Sequence, residues 1–446
     1  MTVTACSIDL SAPLIFGFGV TGQAVADVLV ERGHRPVVVD DKPTDAAIEA
    51  AGWSGLALTV APDLDHLDEV VASASVLLPS PGIPDHHPVF AAADRHGVPV
   101  RSEFDLANLW DDRPVVAITG TNGKTSVVTM VTESLERSGI RASSVGNTDT
   151  PLVAMLTDPE IHTFVVEASS FRLAHSDRFS PDVATWMNFS PDHLDAHASL
   201  ATYEEAKAAI WRHLGPGATV VANAEDEVVL KHVPDDSLVV TFGLHVGDWR
   251  TESGHLVGPG GPLVAVDRLP RRQPHDLANA ACVAATAVAA GASEAAIVEV
   301  LEQFGGLPHR LCLIGEWNEI RWFNDSKATV PQATLAAVGG FESVVLIAGG
   351  RNKGLDLSAL IDASPPVHTV VATGEAAPEV ESAFAGSDAE VVVAGSMVEA
   401  VAMADDASRA GDVVLLSPAC TSFDWYSNYS ERGEDFMAIV NERFDS

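Results

Sequence analysis

The sequence predicts an α/β protein built on parallel sheets, and three observations carry that prediction. Short apolar runs bounded by Gly, Asp or Pro recur along the chain: Pro13–Phe16, Pro36–Val39, Ser75–Leu78, Val115–Ile118, Thr163–Val166, Val344–Ile347, Val367–Val371 and Val413–Leu416. Ala-rich stretches of helical spacing separate them, the alternation expected of doubly covered strands and their helices. Two glycine-rich loops, Gly17–Gly22 and Thr119–Ser126, each leave such a run and enter such a stretch, where parallel sheets hold phosphates.

At about 150 residues per domain, the 446 residues predict about three domains. Residues 1–103 read as a Rossmann-like parallel sheet. Residues 104–306, with a first strand at Val115 and a close at Gly305–Gly306, read as a P-loop ATPase-like α/β domain. Residues 307–446 read as a second Rossmann-like α/β domain. Between Val220 and Pro270, short segments punctuated by Gly and Pro predict a small β insertion.

Composition narrows the partners. A chain 47% hydrophobic and 20% charged is globular. Its 62 acidic and 26 basic residues give a net charge of −36, which repels polyanions and excludes nucleic acid as an expected partner; a solubility or salt adaptation is its plainer meaning. Cys6, Cys282, Cys312 and Cys420 lie far apart with no C-x-x-C pair, so neither a zinc knuckle nor a disulfide framework is expected. No apolar run approaches the ~18 residues of a membrane span, and the start lacks the features of a secretory leader. A cytoplasmic monomer, not bound to a membrane, is the expectation.

The motifs follow in chain order. Gly17-Phe-Gly19-Val-Thr-Gly22 matches G-x-G-x-x-G, with Asp40 closing the next strand. NAD, another nucleotide diphosphate and a purely structural turn all fit that fingerprint. Thr119-Gly-Thr-Asn-Gly-Lys124-Thr125-Ser126 departs from the strict phosphate-loop pattern, because Ile118 stands where its first Gly should be. Its physics survives: Gly120 and Gly123 let backbone N–H groups cradle phosphates, Lys124 reaches the terminal phosphates and Thr125 can ligate Mg²⁺. ATP is therefore predicted. Two nucleotide loops argue against a dehydrogenase and for one nucleotide as a handle, the other as the energy source.

Glu167 ends a strand, where it can hold Mg²⁺ or merely cap a helix. In Asn188-Phe-Ser-Pro-Asp192-His193-Leu-Asp195-Ala-His197, followed by Lys207, a metal cluster and a solvated loop fit equally; two histidines are odd for hard Mg²⁺. The fork of Arg310, in Gly305-Gly-Leu-Pro-His309-Arg310, suits a phosphoryl group. Asn324-Asp325-Ser326-Lys327-Ala-Thr329, Gly349-Gly-Arg-Asn-Lys353-Gly and Ser417-Pro-Ala-Cys420-Thr-Ser422-Phe-Asp424 each follow an apolar run, where ligands bind. Of six lysines, Lys124, Lys207, Lys327 and Lys353 fall inside these motifs. In a chain so poor in surface lysine, that placement points to function.

Taken in order over nearly the whole chain, Thr119–Ser126, Glu167-Ala-Ser-Ser-Phe, Asn188…Asp192-His193-Leu-Asp195, Leu307-Pro-His-Arg310, Asn324–Thr329 and Leu416-Ser-Pro-Ala-Cys420 resemble the Mur ligase family. The resemblance implies an ATP-dependent amide ligase of peptidoglycan precursor synthesis, with UDP-N-acetylmuramoyl-L-alanine and D-glutamate as substrates and an acyl phosphate between them. It implies that Gly120, Thr121, Asn122, Gly123, Lys124, Thr125, Ser126, Asn279, Arg310 and Asp325 bind ATP. Two Mg²⁺ ions would be held by Thr125 and Glu167 and by His193 and a carbamylated Lys207, with Lys124, His193 and Lys207 catalytic. Val20, Thr21, Asp41, Lys42, Ser80, Gly82 and Asn147 would bind the UDP substrate, and Thr329, Lys353, Ser422 and Tyr429 the glutamate. Three residues depart from the family pattern: Arg172 for a usual Gln, Asp276 for Asn after His275, and Val330 for Asn after Ala-Thr. Val330 leaves an L-glutamate-adding relative as the alternative. A nicotinamide-dependent oxidoreductase and a non-catalytic nucleotide-binding module are the rivals from other classes.

Overall fold

A computed structural model describes residues 8–147, 150–192, 196–352 and 355–444. The chain forms two compact units, Met1–Gly305 and Gly306–Ser446, and each is described by itself.

Among the described residues, the first unit holds three sheets. In the first, β1 (Pro13–Phe16), β2 (Val37–Asp40), β3 (Leu58–Val60) and β4 (Val76–Pro79) run parallel in the order β3-β2-β1-β4. Leu14, Ile15, Val38, Val39, Leu77 and Leu78 are buried, because helices cover both faces. The order turns about β1, whose neighbours lie on opposite sides. The loops after β1 and β4 therefore border one crevice, the ligand position of an open parallel sheet.

The second sheet comprises β5 (Val115–Thr119), β6 (Ala142–Gly146), β7 (Thr163–Glu167), β8 (Val183–Trp186), β9 (Thr219–Asn223) and β10 (Leu238–Phe242). Its order is β10-β9-β8-β5-β7-β6, all parallel, so β5 lies at the switch point between β7 and β8. The helix Lys124–Arg137 packs on this sheet with the alanine-rich Pro274–Ala289, whose small side chains allow close approach. Here the expected β insertion narrows. β9 and β10 extend the parallel sheet, and only β11 (Arg250–Glu252), β12 (His255–Gly258) and β13 (Gly261–Ala265) form a separate antiparallel sheet.

The second unit carries one sheet of β14 (Cys312–Trp317), β15 (Ile320–Asn324), β16 (Val344–Gly349), β17 (Val367–Thr373), β18 (Glu390–Ala394) and β19 (Val413–Ala419), ordered β14-β15-β19-β16-β17-β18. It is parallel except at the edge. β14 pairs antiparallel with β15 through a two-residue turn, Asn318–Glu319, with φ of 52° and 61°. Two left-handed residues match the twist of a tight hairpin.

Candidate active site

β5 leads into the loop Gly120–Gly123 and then the helix Lys124–Arg137. Gly123 sits at φ +84°, and a Cβ there would lie 2.8 Å from Asn279 Oδ1; the glycine both permits the turn and brings Asn279 against the loop. Asn188 braces the loop from the other side. Its Oδ1 accepts the N–H groups of Thr121 and Asn122, each at 2.9 Å, and its Nδ2 donates to the Asn122 carbonyl at 3.0 Å. Those two amides thus face Asn188, a division of labour that glycine spacing does not show. The Thr121 hydroxyl lies 3.2 Å from the Tyr203 hydroxyl and accepts from Ser190 N at 3.1 Å.

Two lysines converge on one oxygen. Lys124 Nζ donates to the carbonyls of Gly120 and Thr121 at 2.9 Å, and Lys207 Nζ donates to the same Gly120 carbonyl at 2.7 Å. Lys207, on the helix Leu200–Ala208, is 1% exposed. Burial, then repulsion from Lys124, pulls its pKa down to about 6. At neutral pH its amine is largely uncharged and nucleophilic.

Glu167 ends β7 beside Ile118 of β5, buried against the start of the phosphate loop. Its Oε1 accepts from Asn147 Nδ2 at 3.1 Å, whereas Oε2 is buried with no hydrogen-bond partner. A buried carboxylate oxygen left open is what a hard cation uses. No group of three His, Cys, Asp or Glu side chains able to hold a metal forms among the described residues. Mg²⁺ does not need one, since it commonly takes one or two carboxylates and completes its shell with phosphate oxygens and water. Thr125 is the second residue of the adjoining helix.

His193 lies outside the described residues. His197 is committed elsewhere: Nδ1 lies 3.0 Å from Asp85 Oδ2 and Nε2 2.9 Å from Ser170 Oγ. With both ring nitrogens engaged, it is no ligand, which removes the oddity of two histidines beside Mg²⁺. The Asp–His–Ser line resembles a hydrolytic triad, but Ser170 is buried under the helix it starts and braces this loop instead.

At the first sheet, Gly17 has φ +89°, and a Cβ on Gly22 would lie 2.1 Å from the Gly17 carbonyl oxygen, so the turn needs both glycines. Ser80 Oγ donates to that same carbonyl at 2.7 Å, tying the Ser80–Gly82 turn to the loop. Asp40, the acid that would hold a dinucleotide ribose, instead accepts the N–H groups of Phe18 and Lys42. This engagement counts against the NAD reading. Asp41 pairs with His87 at 2.9 Å, and Val20, 65% exposed, starts the following helix.

In the second unit, Asp325 Oδ2 accepts from Ser417 Oγ at 2.8 Å and Oδ1 from Leu311 N at 3.2 Å; burial pushes its pKa up to about 6 against these bonds and the charge of exposed Arg310. Arg432, 3% exposed, organises the neighbouring loop: Nε donates to Ser326 Oγ, Nη2 to the Ser326 carbonyl and Nη1 to the Cys420 carbonyl. Tyr429 opens the helix that carries it, and the Lys327 ammonium lies 5.4 Å from the Tyr429 ring.

Comparison with known proteins matches this architecture part by part. The MurD-like N-terminal domain of Mur ligases matches residues 11–102, the Mur ligase middle domain 118–258, and the Mur ligase glutamate ligase domain 309–420. The UDP-N-acetylmuramoylalanine--D-glutamate ligase of Frankia casuarinae is 38% identical, covering 96% of this chain and 94% of its own. That of Shouchella clausii is 37% identical, covering 96% of both. The chain belongs to the Mur ligase family. Among solved structures, the UDP-N-acetylmuramate-alanine ligase of Thermotoga maritima superimposes with a TM-score of 0.53 at 20% identity, over 97% of this chain and 99% of its own; it shares the fold.

Within this Mur ligase, the predicted residues group by unit. Gly120–Ser126, Asn279, Glu167 and Lys207 surround one loop, and Asn147 reaches the same place through Glu167. Val20, Thr21, Ser80 and Gly82 lie in the segments after β1 and β4 that border the crevice of the first sheet, whereas Asp41 and Lys42 follow β2, Asp41 paired with His87. Arg310, Asp325, Thr329, Ser422 and Tyr429 belong to the second unit, Ser422 buried in the loop that follows β19. Lys353 lies outside the described residues. Arg432, Tyr203, Glu103 and the bracing role of Asn188 escape motif reading, because their partners are remote in sequence. The lone signal for Arg172 was its departure from the family pattern.

Proposed function

We propose that the protein is an ATP-dependent ligase that joins D-glutamate to UDP-N-acetylmuramoyl-L-alanine in peptidoglycan precursor synthesis. The observation that carries the reading is the convergence of Lys124 and Lys207 on the Gly120 carbonyl, beside a buried carboxylate with an open oxygen. At this strand end Lys124 can neutralise a polyphosphate, while the open carboxylate oxygen and the buried Lys207 are placed for the cations that accompany it. The near-full-length relatives named as D-glutamate ligases support the choice of substrates.

The terminal carboxylate of the UDP substrate attacks the γ-phosphorus of ATP, and ADP leaves. The glutamate amine then adds to the acyl phosphate carbonyl, loses a proton, and phosphate departs as the amide forms. A free carboxylate is a poor electrophile, so phosphorylation supplies the leaving group. Lys124 neutralises the transferring phosphoryl group, and the loop orients it. Thr125 and Glu167 would hold one Mg²⁺, and His193 with a Lys207 carbamate a second; bound there, the ions would screen phosphate charge. The uncharged Lys207 amine is set to add to CO₂ and shed a proton, giving that carbamate and its oxygens.

Residues 1–103 take the UDP group, 104–306 ATP, and 307–446 the amino acid through Thr329, Lys353, Ser422 and Tyr429. On this reading the protein is a cytoplasmic monomer. Separately, no helix among the described residues is long and apolar enough to cross a membrane. The test is phosphate release with ATP, Mg²⁺ and UDP-N-acetylmuramoyl-L-alanine, with D-glutamate or L-glutamate added. Release that requires D-glutamate is expected. Release with L-glutamate alone would reassign the amino acid, and silence with both would refute the reading.

A further inference from the structure

Arg172 is 6% exposed, and each of its guanidinium nitrogens serves a different partner. Nε donates to Glu103 Oε1 at 2.9 Å, Nη2 to Thr21 Oγ1 at 2.9 Å and Nη1 to Asn147 Oδ1 at 3.3 Å. Glu103 is itself held by the Val153 N–H at 3.2 Å. Thr21 belongs to the helix Val20–Glu31, which begins within the Gly17–Gly22 motif, and Asn147 donates to Glu167. One side chain thus touches the element that receives the UDP group and the residue that orients the open carboxylate. We propose that Arg172 is a positioning residue coupling these two places, so that binding of the uridine nucleotide and binding of the divalent ion strengthen each other. The inference rests on the functional reading above.

The chemistry of the guanidinium makes the coupling directional. It can only donate, so it dictates which end of the Asn147 amide it meets. Oδ1 must face Arg172, which turns Nδ2 toward Glu167 Oε1 and leaves Oε2 as the open oxygen. At the other end, Thr21 Oγ1 is an acceptor toward Arg172, so its own proton points elsewhere and can be donated. A glutamine here, carrying both donor and acceptor, would permit either amide orientation. A nucleotide that draws Thr21 into place therefore steadies Arg172, Asn147 and Glu167 in turn, and the effect must be reciprocal.

The test is a linkage measurement that needs no turnover. Titration calorimetry gives the Kd of UDP-N-acetylmuramoyl-L-alanine in EDTA and in saturating Mg²⁺, for the wild type and for Arg172→Met, Arg172→Lys and Thr21→Val. In the wild type Mg²⁺ should tighten binding about fivefold, the lower end of common coupling. Arg172→Met and Thr21→Val should each bring that factor toward one, and Arg172→Lys should keep part of it. A merely structural role would lower the competent fraction and leave the ratio intact. Persistence of the full factor in Arg172→Met and Thr21→Val, or its absence from a wild type that binds the nucleotide, would overturn the proposal. Should Arg172→Met not fold, Thr21→Val decides from the other end of the chain of bonds. No nucleotide binding by the wild type would remove the functional reading, and the coupling with it.

Discussion

Replacing Lys207 with Met should stabilise the protein while abolishing its proposed activity. The folded-state pKa of about 6 lies below the ordinary 10.5, so at intermediate pH the unfolded chain binds a proton that the folded chain does not. The resulting penalty is fully present below pH 6 and fades as pH rises through 10.5. At pH 7, 3.5 below the ordinary value, it comes to about 5 kcal/mol at 1.36 kcal/mol per unit. Methionine fills similar space without a charge, but forfeits the bond to the Gly120 carbonyl, worth about 1 kcal/mol. The net expectation is a gain of roughly 3–4 kcal/mol at pH 7. Relative to Lys207→Met, the wild type should gain about 1.4 kcal/mol per pH unit between pH 6 and 10. Scanning calorimetry across that range, in CO₂-free buffer so that Lys207 remains an amine, reads the difference, and the variant serves as the reference that cancels the titrating groups remote from Lys207. A Lys207→Met transition at or below the wild type at pH 7, or a difference that does not shrink with pH, would refute the buried neutral amine.

Three further outcomes are expected. Gly22→Ala would set a Cβ 2.1 Å from the Gly17 carbonyl oxygen, whereas Gly19→Ala meets nothing within 4 Å; the first should cost about 1–3 kcal/mol and raise KM for the UDP substrate but not for ATP, and the second should leave the melting temperature unchanged. Val330 is the N-cap of the helix Pro331–Val338 and makes no side-chain cap bond, so Val330→Asn should add about 1 kcal/mol, read as a higher transition of the second unit. A net charge of −36 repels itself, so raising KCl toward 1 M, where the Debye length falls to about 3 Å, should raise the melting temperature of the whole chain; a flat profile would show that the acidity is already compensated.

The strand runs, the two glycine-rich loops and the glycines at 17, 22, 120 and 123 were legible because their causes are local. Burial on both faces demands an apolar run, and a left-handed turn or a close backbone approach demands Gly within a few residues. Even so, the runs Thr163–Val166 and Val413–Leu416 stopped short of β7 and β19, because strands continue into polar or small residues once their neighbours pair with them. The edge strand β14 was not read at all, since its pairing depends on a turn of Asn and Glu rather than on an apolar pattern.

The sequence by itself determined the parallel α/β class, many of the buried strands and the two glycine-rich loops at strand ends, and it grouped Lys124, Glu167 and Lys207 by their likeness to a family. Only the tertiary structure decided what those groups experience. Lys207 titrates near 6 because the fold buries it beside Lys124, 83 residues away, and Glu167 keeps an oxygen open because Asn147 takes the other. Arg172 reaches across 69 residues to Glu103 and 151 to Thr21, and Arg432 across 106 to Ser326. A guanidinium carries five donors and no preference for near neighbours in sequence, so its partners exist only once the chain has packed.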